Sequence, residues 1–125
     1  GISLKLFHIY NYMELVINDN MFKVKCVMTP KDIQKGMMGR DFDGSFDGMI
    51  FLMDDEDHSF WMKGCITNLD IVFIKNGVIS TIHHNCKPCK TENCENYKGS
   101  GDMVLELPGN TCKKYNIKEG DSVLV

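Results

Sequence analysis

The segment Leu69-Asp70-Ile71-Val72-Phe73-Ile74, followed by Lys75-Asn76-Gly77 and then Val78-Ile79-Ser80-Thr81-Ile82-His83-His84, constrains the chain most. Two runs rich in β-branched residues flank an Asn-Gly pair. That pair favours the positive backbone angles of a type I′ turn, whose twist matches that of adjacent antiparallel strands. The segment therefore predicts a hairpin, with strands at 69–74 and 78–84.

The same reading extends in both directions. Residues 13–17 and 21–28 alternate with period two around Asn18-Asp19-Asn20 and predict a second hairpin. Thr29-Pro30 marks a helix start, since a threonine hydroxyl caps and proline costs nothing at the first helical position. That helix, in Pro-Lys-Asp-Ile-Gln-Lys-Gly-Met-Met, is expected to stop near Gly39, ahead of a Gly- and Asp-rich loop. Further strands are expected at 49–53, 58–63, 102–107 and over the final Ser-Val-Leu-Val. A short helix is expected in Thr-Cys-Lys-Lys-Tyr-Asn, with Asn110 as its cap. About eight short strands and two short helices predict a mainly β domain with a minor α component. Its sheet is expected to be mostly antiparallel and closed, or nearly closed, into a barrel. The expected core includes Ile50, Leu52, Phe60, Met62, Ile71, Phe73, Ile79 and Leu105. Neither repeats nor a linker divide the 125 residues, so one domain is expected over 13–125, with 1–12 a peripheral extension.

Composition narrows the function. Formal net charge is −3 and no basic stripe occurs, which argues against a nucleic-acid partner. No apolar window reaches the roughly 18 residues of a membrane span. The opening Gly-Ile-Ser-Leu-Lys-Leu-Phe-His makes a poor signal peptide, so a cytoplasmic monomer is expected, or an exported one if an upstream signal was removed. Gly1 is not an initiator residue, so something was removed or added upstream, and the native start is either Met13, where the strand pattern begins, or an upstream residue. The acidic run Asp54-Asp55-Glu56-Asp57 lacks the alternating ligands and central glycine of a calcium loop and reads as a solvated turn. His58 beside it reads as a turn residue in the same way.

Candidate binding residues come from the middle of the chain. In an extended strand Trp61 and Lys63 share one face, giving an aromatic wall with a cation beside it. Such a pair suits anionic or planar ligands. Asp70 and Glu106 are isolated acids within apolar runs. Either faces solvent by strand alternation, or is buried and needs a partner, for which Arg40, Lys63 and Lys75 are candidates. The buried alternative predicts one cluster of Arg40, Lys63, Asp70 and Glu106 at a barrel mouth, walled by Trp61.

Of six cysteines, Cys26, Cys65 and Cys112 sit in apolar or helical contexts and read as small buried hydrophobes. The loop His-His-Asn-Cys-Lys-Pro-Cys-Lys-Thr-Glu-Asn-Cys is richer. His83, His84, Cys86, Cys89 and Cys94 offer soft ligands for zinc, although a distant second ligand pair is missing. Cys86-Lys87-Pro88-Cys89 has the form of a redox Cys-x-x-Cys motif, but no apolar helix follows it. A disulfide within the loop is the third reading, and the residues alone leave the three open.

Several separated motifs carry a resemblance. Gly36-Met37-Met38-Gly39-Arg40, Gly48-Met49-Ile50-Phe51, Phe60-Trp61-Met62-Lys63 and Leu69–Ile74 occur in order. Pro88-Cys89, Cys94, Tyr97, Leu105-Glu106-Leu107, Gly109 and Gly120-Asp121 follow. Together they resemble the DUF192 family over roughly residues 14–125. That resemblance implies a small, mostly β domain without an established biochemical role, of a kind found in bacteria, archaea and their viruses. It also implies a Cys89–Cys94 disulfide, with Cys86 left as a thiol. Gly64 and Cys65 stand where the family pattern carries an Asn-Thr pair after the lysine.

The expected function is that of a binding or accessory module for a small molecule or a protein segment, needing no cofactor. Its site is expected at Arg40, Trp61, Lys63, Asp70 and Glu106. One alternative is an enzyme using Asp70 or Glu106 as acid or base, although no nucleophile–base pattern is visible. The other is a zinc or redox accessory protein acting through the Cys86–Cys94 loop.

Overall fold

A computed structural model describes residues 11–125. Six strands and two short helices follow in order: β1 (Tyr12–Ile17), β2 (Asn20–Val27), α1 (Pro30–Lys35), β3 (Gly48–Phe60), β4 (Leu69–Lys75), β5 (Val78–Cys86), β6 (Tyr97–Pro108) and α2 (Thr111–Lys114). They form one sheet of order β1-β2-β3-β6-β4-β5. Every neighbouring pair is antiparallel except β2 and β3, which run parallel because α1 and its loop carry the chain across between them.

Local chemistry accounts for the turns. Asn76 and Gly77 take φ of 51° and 72°, and Asn18 and Asp19 take 51° and 61°, so both expected hairpins close through paired positive-φ residues. Thr29 caps α1 by accepting from the Asp32 backbone N–H at 3.2 Å. The helix ends one turn earlier than expected, at Gly36 with φ 47°.

Apolar side chains cover both faces of the sheet centre. Leu15, Val24, Ile50, Val72, Ile74, Leu105 and Leu107 pack on one face with Cys112 and Ile117. Met49, Phe51, Ile71, Phe73 and Val104 pack on the other with Met37 and Met62. Being covered twice, β4 needs a continuous apolar run rather than an alternating one, which is what Leu69–Ile74 provides. Six of the eight expected core residues are buried, while Leu52 and Phe60 are partly so.

Three expectations are corrected. The sheet does not close into a barrel: its edges β1 and β5 are joined only through single bridges from the C-terminal segment, Val16 to Leu124 and Val78 to Ser122. For the same reason the final Ser-Val-Leu-Val forms isolated bridges rather than a strand. Lastly, 49–53 and 58–63 are not separate strands. The acidic run continues β3, with an irregularity between Leu52 and Glu56 where the register against β6 shifts, and the strand ends at Phe60. The expectation for 1–12 lies mostly outside the described residues, but Tyr12 already belongs to β1 and the Asn11 carbonyl accepts from Cys26 N–H at 3.0 Å.

Candidate functional site

The β4–β6 register decides where the two isolated acids go. Asp70 lies opposite Leu107, and Ile71 opposite Glu106. Directly opposed residues share a face, so the offset of one residue sends Asp70 and Glu106 to opposite faces.

Asp70 is fully buried and fully engaged. Its Oδ1 accepts from the backbone N–H groups of Asn85 at 2.7 Å and Asn110 at 2.9 Å, and its Oδ2 from that of Cys112 at 2.8 Å. Asn110, expected to cap α2, instead takes a left-handed conformation and makes no side-chain capping bond. Asp70 supplies the cap from the neighbouring strand. Among the described residues it forms no salt bridge, and with Asp70 and Glu106 on opposite faces the expected cluster of Arg40, Lys63, Asp70 and Glu106 is not formed.

Glu106 has the opposite fate. It is 4% exposed, and its Oε1 is one of two buried side-chain oxygens without a hydrogen-bond partner among the described residues, the other being Asp102 Oδ1. Burial pushes its carboxyl up to about 8. The group is thus largely protonated near neutral pH, able to donate one hydrogen bond and accept another.

That carboxyl lines a pocket of about 250 Å³ between α1 and the end of β3. Apolar walls come from Ile33, Met37, Met38, Phe51, Phe60 and Trp61. Gly36 closes over the acid: a Cβ there would stand 3.2 Å from Phe51 Cζ and 3.6 Å from Glu106 Oε1. Lys35 and Lys63 also line the pocket and are exposed, with Lys63 Nζ 5.4 Å from the centroid of the Trp61 ring. Neither lysine forms a salt bridge, since among the described residues only Lys75 and Asp55 do, at 3.6 Å. Cys65 lines the same pocket, but burial and then the nearby Glu106 raise its thiol to about 11, so it is a poor nucleophile.

Of the five expected binding residues, the pocket thus gathers Trp61, Lys63 and Glu106. Arg40 lines an adjoining cleft of about 160 Å³ that shares Lys35 and Gly36 with it. Sequence reasoning missed the contribution of α1. It also missed the segment directly after α1, Gly36-Met37-Met38, which was visible in the sequence only as part of the family motif. Gly64 has φ 77°, and Cα substituents there would meet Met38 Cγ at 2.5 Å. Glycine suits this positive-φ backbone and leaves room for Met38, whereas an asparagine here would require Met38 to move.

The cysteine-rich loop adjoins this wall. Cys89 and Cys94 are disulfide-bonded, with Cα atoms 5.8 Å apart, as the resemblance implied. Cys89 N–H donates to Met62 O at 3.1 Å, and Lys63 and Cys89 form a parallel bridge, which ties the loop to the Trp61–Lys63 backbone. The alternative zinc set is not brought together. His83 packs edge-on between Phe73 and Tyr97 with Nε2 2.8 Å from Lys98 O, His84 is exposed, and Cys86 is buried with its thiol raised to about 11, chiefly by burial. Among the described residues no group of three or more His, Cys, Asp or Glu is arranged to hold a metal ion.

Fold and pocket together define a small, mainly β domain with an acid-floored cleft beneath a short helix. The chain belongs to the DUF192 family, described as an uncharacterized ACR, whose model matches residues 13–125. Among solved structures it is similar to a protein of unknown function from Novosphingobium aromaticivorans, with TM-score 0.80 and 28% identity over 91% of this chain and 85% of that one. It is also similar to a protein from Sinorhizobium meliloti described as a "putative transcription regulator", with TM-score 0.75 and 27% identity over 89% of each chain. No curated protein matches the sequence.

Proposed function

We propose that this domain is a small-molecule-binding module whose site is the pocket of Glu106, Trp61 and Lys63. The observation that carries this reading is the Glu106 carboxyl: buried, without a partner at Oε1 among the described residues, and lining a cleft walled by Ile33, Met37, Met38, Phe51, Phe60 and Trp61, with Lys35 and Lys63 among its polar residues. An unsatisfied buried polar oxygen costs about 1–3 kcal/mol, and a ligand group reaching it recovers that cost. Apolar walls around a few convergent polar groups are the usual make-up of small-molecule sites. The enzyme alternative loses one of its two acids, because all of Asp70's short contacts are to structural backbone N–H groups. A regulatory role like that in the description of the Sinorhizobium relative is compatible with ligand sensing. Direct reading of nucleic acid is not favoured by a net charge of −3.

Trp61 is the single tryptophan and stands in the pocket wall, so its emission reports on occupancy. A library of single-ring fragments bearing neutral, anionic or cationic groups is expected to contain members that change Trp61 emission saturably. Glu106→Leu should weaken that response for hits that carry a polar group while leaving the fold intact. A library without a saturable hit, or hits unaffected by Glu106→Leu, would contradict the reading.

A further inference from the structure

We propose that the pocket takes a small organic acid: a flat apolar body with its carboxylate at the rim, toward Lys35 and Lys63, and an oxygen at the inner end facing Glu106. This inference rests on the ligand-binding reading above and narrows it.

The charge distribution selects the sign of the ligand. Lys35, His58, Lys63, Cys65 and Glu106 are the ionisable groups lining the pocket. Cys65 is a neutral thiol at physiological pH, and His58 Nε2 is 2.8 Å from the Asp54 carbonyl. Among the described residues, no ammonium or guanidinium group lies within salt-bridge distance of Glu106. Of the side chains lining the pocket, the fixed charges are those of two lysines, which favour an anion over an amine at their end of the rim, while the acids Asp54–Asp57 adjoin the lining at Met53 and His58 without lining it. Both lysines are exposed, so the anion belongs at the rim, where its hydration is partly kept.

Shape and wall chemistry select the body. A volume of about 250 Å³ equals that of roughly eight water molecules at ~30 Å³ each, enough for a single ring with short substituents. Phe51 and Phe60 meet edge-to-face at 5.2 Å, Trp61 stands beside them, and Met37 and Met38 adapt to whatever lies between. At the inner end, a protonated Glu106 offers an O–H donor and an acceptor. A hydroxyl or carbonyl oxygen on the ligand completes that arrangement, and a bare hydrocarbon end leaves it unpaired.

Calorimetric titration of the full chain, with its disulfide intact, tests each part. The probes are 4-hydroxybenzoate, benzoate, 4-hydroxybenzyl alcohol and 4-hydroxybenzylamine. The inference expects 4-hydroxybenzoate to bind about tenfold more tightly than the alcohol, with the amine weakest. Lys63→Met should weaken 4-hydroxybenzoate by about tenfold and leave the alcohol nearly unchanged, whereas Lys113→Met in α2 should affect neither. Wild-type protein should prefer 4-hydroxybenzoate to benzoate, Glu106→Gln should keep that preference, and Glu106→Leu should lose it. Alcohol or amine binding as tightly as the acid would overturn the ligand class while leaving the pocket as a binding site. A preference for 4-hydroxybenzoate over benzoate that survives Glu106→Leu would overturn the inner contact. Failure of all four probes would overturn this inference, and the binding reading would fall as well only if the wider fragment library also gave no hit.

Discussion

Glu106 ties a pH-dependent stability to the site. Its folded-state pKa of about 8 lies above the ordinary value of 4.5 because burial disfavours the carboxylate. Below the ordinary value the acid is protonated in folded and unfolded chains alike, and the stability contribution is fully present. As pH rises from 4.5 toward 8 the unfolded chain ionises first and stability falls; above the folded pKa the loss is complete. The loss amounts to a few kcal/mol at most. Urea unfolding should therefore show the wild type losing stability across this range relative to Glu106→Gln, which becomes the more stable variant on the alkaline side. Parallel pH profiles for the two proteins would contradict a buried, unpaired acid. Both isolated acids were visible in the sequence as breaks in apolar runs. Their separation onto two faces was not, because it depends on pairing Asp70 with Leu107, and a slip of one residue reverses it.

At the scale of elements, Asp70 joins α2 to the sheet. Removing its carboxylate leaves the N–H groups of Asn85, Asn110 and Cys112 without their acceptor, that of Cys112 in a fully buried place. Asp70→Ala should cost about 3 kcal/mol or more, and Asp70→Asn, which keeps one oxygen, about 1–3 kcal/mol, both read from the urea midpoint. A loss below half a kcal/mol in Asp70→Ala would show that water replaces the carboxylate at no cost. The Cys89–Cys94 crosslink closes a short loop and contributes about 2 kcal/mol in the chain-entropy view. Reduction should loosen residues 87–96 and, through Cys89 and Met62, alter Trp61 emission, while the six strands stay folded. Unchanged emission on reduction would mean the loop does not support the pocket wall. Hairpins and helix starts were legible because Asn-Gly and Thr-Pro act locally. The continuity of β3 was not: Glu56 to Phe60 are held in the sheet by Tyr97 to Gly101, some forty residues away, and no local signal overrides four consecutive acids. The contribution of α1 to the pocket was hidden similarly, since it depends on where the parallel crossover lays the helix.

For the whole molecule, the C-terminal segment occupies both sheet edges. Val16 and Leu124 exchange two backbone hydrogen bonds of 2.8 and 2.9 Å, Val123 N–H donates to Gly77 O, and the Val123 side chain is buried in the core. Truncation after Asp121 should uncover parts of β1 and β5, reduce stability by about 2–3 kcal/mol from the lost Val123 burial and backbone pairing, and promote concentration-dependent association through the freed edges. Light scattering and thermal unfolding at two concentrations check this; a monodisperse truncated chain of unchanged stability would refute it. The near-closure also explains the barrel expectation. The two hairpin turns were read correctly, but whether a sheet closes depends on strand number and stagger, which turn signals do not encode.

The cleft floored by Glu106 is the proposed ligand site of this domain. Amide and indole chemical-shift mapping during titration with 4-hydroxybenzoate tests that location most directly. Saturable shifts should be concentrated at Gly36, Met38, Trp61, Lys63 and Cys65, with α2 and the C-terminal segment unmoved. Shifts centred on α2 or the sheet edges, with the Trp61 indole silent throughout, would contradict it.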